Sequence, residues 1–185
     1  MKGTYADTLE KQMELMQELP ENIADEFRKE TVTMILQLYQ LTARAKVVGV
    51  CNYLDTLLDN NAKFLVFGHH MVMLDAIETH LKKRSCGYVR IDGQVNPKNR
   101  HLLVEKFQKD VSIRCAVLSI TAASQGLTLT AASCVVFAEV FWTPAILIQA
   151  EDRAHRIGQK NSVNIHYLYA PDTLDDHVYK MLQKK

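Results

Sequence analysis

The sequence lacks the usual marks of several enzyme classes. No G-x-x-x-x-G-K-[ST] is present, so the chain has no Walker A loop to cradle phosphates and Mg2+. No G-x-G-x-x-G follows a strand-like run, which counts against a dinucleotide enzyme, and no G-x-S-x-G elbow presents a serine nucleophile. Asp25-Glu26 has the look of a Walker B pair but precedes no strand, and reads as solvated helix surface. Nothing here would hydrolyse a nucleotide unaided. The seven histidines form no H-E-x-x-H or H-x-x-x-H. The four cysteines, Cys51, Cys86, Cys115 and Cys134, form no C-x-x-C, and three of them lie in apolar runs. They read as reduced buried thiols, with no metal cage and no disulfide framework. No apolar run approaches the roughly 18–20 residues of a membrane span, and the start has no signal-peptide core. The chain is therefore read as soluble and intracellular, with no membrane partner.

With 185 residues, 48% of them hydrophobic, and only four prolines, the chain is one ordinary globular domain with room for a helical appendage. A net charge of +1 hides an asymmetry. Residues 1–62 carry six Lys/Arg against ten Asp/Glu, whereas residues 63–185 carry sixteen against eleven. A mildly basic C-terminal part is compatible with a polyanion partner.

The first 62 residues read as three helices. One runs over Tyr5–Leu19 and is stopped by Pro20, a second over Ile23–Ala45, and a third places Val47, Val50, Leu54 and Leu57 on one face. From Lys63 short apolar runs alternate with amphipathic stretches. Phe64–Phe67, Tyr88–Ile91, Cys115–Ser119, Cys134–Phe137 and Val163–Tyr169 read as strands. Helices are expected over Leu74–Leu81, from Pro97, from Pro144 to about Arg156 with Thr143 as cap, and from Leu174 to Lys184. Continuous apolar strands between helices imply a parallel, doubly wound α/β sheet covered on both faces. Ligands bind such sheets at the carboxyl ends of the strands, which points to His69-His70, Asp92-Gly93, Ser119–Gly126 and Ala138-Glu139.

The most informative segment is Gln149–Gln159, QAEDRAHRIGQ. On a helix Gln149, Arg153 and Arg156 share one face, and Gly158 follows as a C-cap. Taken alone, the pattern fits arginines complementing a helix dipole, with an Asp152–Arg156 surface pair, more readily than anything catalytic. It also fits a pair of arginine fingers, whose planar forks neutralise charge on a transferred phosphoryl group and are typically worth ~10³–10⁵ in turnover.

This run resembles motif VI of the superfamily-two ATPases of the Swi/Snf type, and other segments follow in matching order. Lys63–His70 (KFLVFGHH) resembles motif IV, Arg90–Gly93 (RIDG) the R-x-D-G element, and Leu118–Ala132 (LSITAASQGLTLTAA) motif V. Where remodellers usually read S-T-R-A-G-G-L-G, this chain has Ile120 and Thr121 at the Thr and Arg positions. That departure, with VVFAEVFW and SVNIHYL, resembles the annealing-helicase subfamily, and leaves Thr121 or Ser119 to supply the hydroxyl.

The resemblance implies a RecA-like C-terminal helicase lobe at residues 46–185, preceded by a helical arm at 1–45. It implies ATP and Mg2+ bound mainly by a first lobe of the same parent chain, Arg153 and Arg156 on the γ-phosphate, and Gln149, Asp152 and Gly126 nearby. It further implies contacts to duplex or forked DNA from His69, His70, Arg90, Lys98, Arg100, Ser119, Thr121 and Ser124. Replication or repair proteins as partners and a nuclear location complete the expectation. An ATP-independent nucleic-acid-binding or interaction module that kept the fold is the alternative. An RNA helicase lobe is disfavoured, because Gly158 is followed by Gln159 instead of Arg. Phe141 and Trp142 abut an apolar strand and Pro144, so they read as packing groups and not as base-stacking ones.

Overall fold

The computed structural model describes residues 21–121, 127–153 and 162–183. Its elements run α1 (Glu21–Asp59), β1 (Phe64–Gly68), α2 (Met71–Lys83), β2 (Gly87–Ile91), α3 (Pro97–Lys109), β3 (Ile113–Ser119), β4 (Cys134–Phe137), α4 (Pro144–Glu151), β5 (Asn164–Tyr167) and α5 (Leu174–Gln183). All five expected strands are present. The expected helix at 5–19 lies outside the described residues. The second and third expected helices are one continuous helix, α1, which runs unbroken through Ala45 and Gly49. Nothing between them breaks a helix: no proline intervenes, and a glycine inside a helix costs only about 1 kcal/mol.

The strands form one parallel sheet in the order β2-β3-β1-β4-β5. Phe64 pairs with both Cys115 and Cys134, and Gly68 pairs with Ser119, so β1 is the central strand. The period of two sorts its side chains between the layers. Phe64 and Val66 face α1 and α2, packing with Val50, Leu54, Ile77 and Leu81. Leu65 and Phe67 face α3 and α4, packing with Phe107, Leu147 and Ala150. On that second face Phe67, Phe137 and Tyr167 stack in succession across β1, β4 and β5. At the start of β2 a side chain on Gly87 would meet the Ser112 carbonyl at 2.2 Å, so only glycine lets that strand pair with β3.

α1 buries Tyr39, Ala43, Lys46, Val50 and Leu54 at helical spacing, while Leu41 and Val48 on the opposite side stay exposed. Two ionic contacts fix its middle and end. Lys46 Nζ donates to Asp175 Oδ2 at 2.6 Å and to the Leu168 carbonyl at 2.7 Å, joining α1 to β5 and α5. Asp55 meets His80 at 2.8 Å and Arg84 at 3.2 Å, joining α1 to α2. A third network joins α2 to β2. Arg90 is held by Asp75, Glu78 and Asp92 at 2.5–2.8 Å, and Glu78 also accepts from Lys82 and Tyr88.

Two stability experiments follow. The Lys46 and Asp175 side chains are 5% and 1% exposed, so removing one leaves the other charged without its partner. Lys46→Met is expected to lower unfolding stability by about 3–5 kcal/mol in urea titrations. The double variant Lys46→Met/Asp175→Asn should recover a large part of the loss, since an amide still accepts from Ala170 N–H. The hydrogen bonds from Lys82, Tyr88 and Arg90 pull the Glu78 carboxyl from its ordinary 4.5 down to about 2. A lowered carboxyl pKa stabilises the fold above the unfolded value and ceases to do so as pH falls. Wild-type stability should therefore drop between about pH 4.5 and 2, and Glu78→Gln should flatten that part of the pH profile.

Candidate DNA edge and nucleotide side

The strand order places the residues singled out at the carboxyl edge on three adjacent strand ends. β2 delivers Arg90, Asp92 and the turn to Lys98. β3, beside it, delivers Ser119 and Thr121, and β1 follows with His69 and His70. β4 continues the row with Glu139.

The β2 end is a tied-down turn. Asp92 is 4% exposed. Its carboxylate accepts from Arg90 Nε at 2.8 Å and from Gln94 N–H at 3.0 Å. Arg100, buried in α3, reaches back to the carbonyls of Val95 at 2.9 Å and Asp92 at 3.3 Å. Asn96 caps α3 by accepting from Lys98 N–H at 3.0 Å. Of the three basic groups expected here, Arg90 is enclosed by three carboxylates and Arg100 by backbone carbonyls; the exposed Lys98 faces solvent. The sequence could not show this, because Asp75 and Glu78 come from another helix.

At the β3 end Ser119 Oγ and Thr121 Oγ1 are 2.8 Å apart, Ser119 buried and Thr121 exposed. The expected contacts of Ser124 and Gly126 lie outside the described residues. Gln108 of α3 holds the returning chain, accepting from Ala131 N–H at 2.7 Å and donating to Thr130 Oγ1 at 3.0 Å.

At the β1 end the two histidines sit in a cluster that sequence reasoning located but did not connect. Glu139, 2% exposed on its side chain, accepts from the backbone N–H groups of His69 and His70 at 2.7 and 2.9 Å. Its other oxygen meets His70 Nδ1 at 2.5 Å. An ionised carboxylate only accepts, so His70 Nδ1 carries the hydrogen. Tyr39 arrives from α1, donates its hydroxyl to the Val140 carbonyl at 2.7 Å and packs against His69, His70 and Trp142. Burial, with smaller contributions from Glu139 and Asp175, pushes the Tyr39 phenol pKa up, so it stays a donor. Burial and the neighbouring His70 push the His69 pKa down, so that ring is neutral near pH 7. Phe141 and Trp142 pack on each other and on His69, in the packing role expected for them.

The residues expected on the nucleotide side lie at the end of α4. The helix ends at Glu151, short of Arg156. Arg153 N–H turns back to the Ala150 carbonyl at 3.2 Å, and the Arg153 carbonyl is taken by Leu129 N–H at 2.9 Å. This bond ties the end of α4 to the chain returning from β3. Gln149 is exposed, whereas Arg153 is 7% exposed and donates from Nε to the Gln149 carbonyl at 2.8 Å. Gln149 and Arg153 thus do not project together, as a longer helix would have had them. Asp152 is exposed at the helix end. Arg156 and Gly158 lie outside the described residues.

The chain is similar to known proteins over most of its length. The helicase conserved C-terminal domain family matches residues 45–158. The SWI/SNF-related matrix-associated actin-dependent regulator of chromatin subfamily A-like protein 1 of Xenopus tropicalis is 52% identical over 152 residues, 82% of this chain and 16% of that protein. The human DNA annealing helicase and endonuclease ZRANB3 is 52% identical over 153 residues, 82% of this chain and 14% of that protein. The chain thus spans about a sixth of the length of these relatives or less. Among solved structures, the C-terminal part of the Fun30 ATPase domain superposes with a TM-score of 0.69 at 31% identity, over 74% of this chain and 44% of that one. A parallel five-stranded sheet in RecA-like order and a family match over most of its length together make this chain a member of the helicase conserved C-terminal domain family, akin to the SWI/SNF-related annealing helicases.

Proposed function

We propose that this chain is the second RecA-like lobe of an ATP-dependent DNA translocase of the annealing-helicase type, acting on branched or forked duplex DNA. The observation that carries the reading is the contiguous row of polar groups at the carboxyl ends of β2, β3 and β1, with Gln149, Asp152 and Arg153 carried by a different element, the end of α4. A motor lobe needs that division, with one surface for the polyanion track and another for the nucleotide.

ATP is the substrate and lies between this lobe and a first lobe of the same parent chain. The relatives' greater length leaves room for such a lobe. Mg2+ belongs with that lobe's phosphate loop; among the described residues no group of three His, Cys, Asp or Glu side chains is placed to hold a metal ion. In this lobe Arg153 and Arg156 supply fixed positive charge to the transferred phosphoryl group. Anchoring Arg153 through Nε on Gln149 sets where its guanidinium lies. The bond between Leu129 and the Arg153 carbonyl ties the nucleotide side to the chain returning from the DNA edge, so movement of one carries to the other. On the DNA edge, Ser119, Thr121, Lys98 and the His69-His70 turn contact the sugar-phosphate backbone. Such contacts position a duplex without reading its sequence. A nuclear setting, with replication or repair proteins as partners, follows from the same reading.

The test is ATP hydrolysis by the full parent chain with forked duplex DNA, single-stranded DNA or RNA. Duplex DNA should stimulate turnover most, and Arg153→Ala or Arg156→Ala should each reduce it about 10³-fold or more. Unchanged turnover in both variants would favour the ATP-independent module, and stronger stimulation by RNA would favour an RNA helicase. DNA affinity should fall steeply with salt, and Lys98→Ala should lower the log–log slope by about one.

A further inference from the structure

At the seam between β1 and β4 the connections leave the sheet on opposite faces. α2 packs with Val66 and Val136, and α4 with Phe67 and Phe137. Open parallel sheets bind ligands where successive connections diverge in this way. Here the protein fills the crevice itself. The successive N–H groups of His69 and His70 converge on Glu139 Oε2, the arrangement by which backbone turns cradle anions. A Cβ at Gly68 would crowd the Leu74 side chain at 3.0 Å and sit in ordinary contact with the Glu139 carboxylate at 3.4 Å.

We propose that Glu139 is a positioning residue for DNA binding, fixing the β1–α2 turn so that His69 presents an Nε2–H donor to the phosphate backbone. The proposal rests on the reading of this edge as the DNA face. Among the described residues nothing hydrogen-bonds His69 Nδ1, which is buried. Burial lowers the His69 pKa and favours the neutral ring, and with Nδ1 buried and unpartnered the ring is assigned the Nε2–H tautomer. A neutral donor has direction but little long-range pull, so its contribution depends on being held in place. Glu139 provides the hold twice, through the His69 backbone N–H and through the His70 ring, which packs edge-on against His69 with centroids 4.8 Å apart. Tyr39 and Trp142 wall the other sides of the ring.

Stimulation of ATP hydrolysis in the full-length parent, titrated with duplex DNA, tests this. Glu139→Gln keeps the shape and removes the charge. It should raise the DNA concentration for half-maximal stimulation about tenfold. Turnover at saturating DNA should fall by no more than about twofold. His69→Ala should raise half-saturation comparably, and the double variant should be no worse than the weaker single one. Glu139→Asp, which keeps the charge one methylene short, should lie between wild type and Glu139→Gln, and remains informative if Glu139→Gln does not fold. Unchanged half-saturation in both Glu139 variants alongside a lowered melting temperature overturns the proposal, as do effects of Glu139→Gln and His69→Ala that multiply. In either case a wild type that DNA stimulates, and that needs His69 for half-saturation, leaves the DNA reading standing. A wild type that DNA does not stimulate overturns both.

Discussion

A buried carboxylate is tolerable only when every lone pair facing the protein finds a donor. Glu139 meets that demand entirely from one turn, the Gly68-His69-His70 step between β1 and α2. The seam between β1 and β4, the entry of α2 and, through Tyr39 and Val140, the middle of α1 are consequently fixed relative to one another. The same logic recurs at Lys46–Asp175, which joins elements distant in sequence, and at Asp92, whose buried carboxylate ties down its own turn through Arg90 and Gln94. Much of the lobe's ionic chemistry is thereby spent on geometry.

The candidate site groups sit where those fixed points leave them. Ser119 and Thr121 end a strand whose neighbours on both sides are anchored, by Asp92 and Arg100 on one side and by Glu139 on the other. The chain from β3 to β4 leaves that edge, packs Ile120, Leu129 and Ala132 into the core and reaches Arg153.

The strands were legible because burial on both faces leaves nearly continuous apolar runs, as in FLVF and CVVF. The candidate residues at the strand ends stood out for the same reason, as polar residues directly after such runs. Less legible was what depended on a partner far along the chain. Arg90 and Arg100 read as free basic charge because their acceptors come from α2 and from a turn. The helix carrying Gln149 ends at Glu151, and the Arg153 carbonyl just beyond it takes a tertiary bond from Leu129 that no local pattern in QAEDR announces. Residues 23–58 read as two helices although a single helix spans them: periodicity marks a buried face, and α1 keeps its face toward the lobe from Tyr39 to Leu54.

The central place of β1 has a consequence for how the lobe assembles. It is the first strand to be synthesised, yet its neighbours are β3 and β4, whose paired residues lie about fifty and seventy positions further on. β2, next in sequence, cannot pair with it and must wait for β3. No two consecutive strands can therefore form a nucleus around β1. Contacts so distant along the chain make folding slow and leave an apolar strand exposed while the remainder emerges. During that interval FLVF is available to other chains, and shielding by α1 and α2, the elements on either side of it in sequence, is the earliest protection the chain can provide.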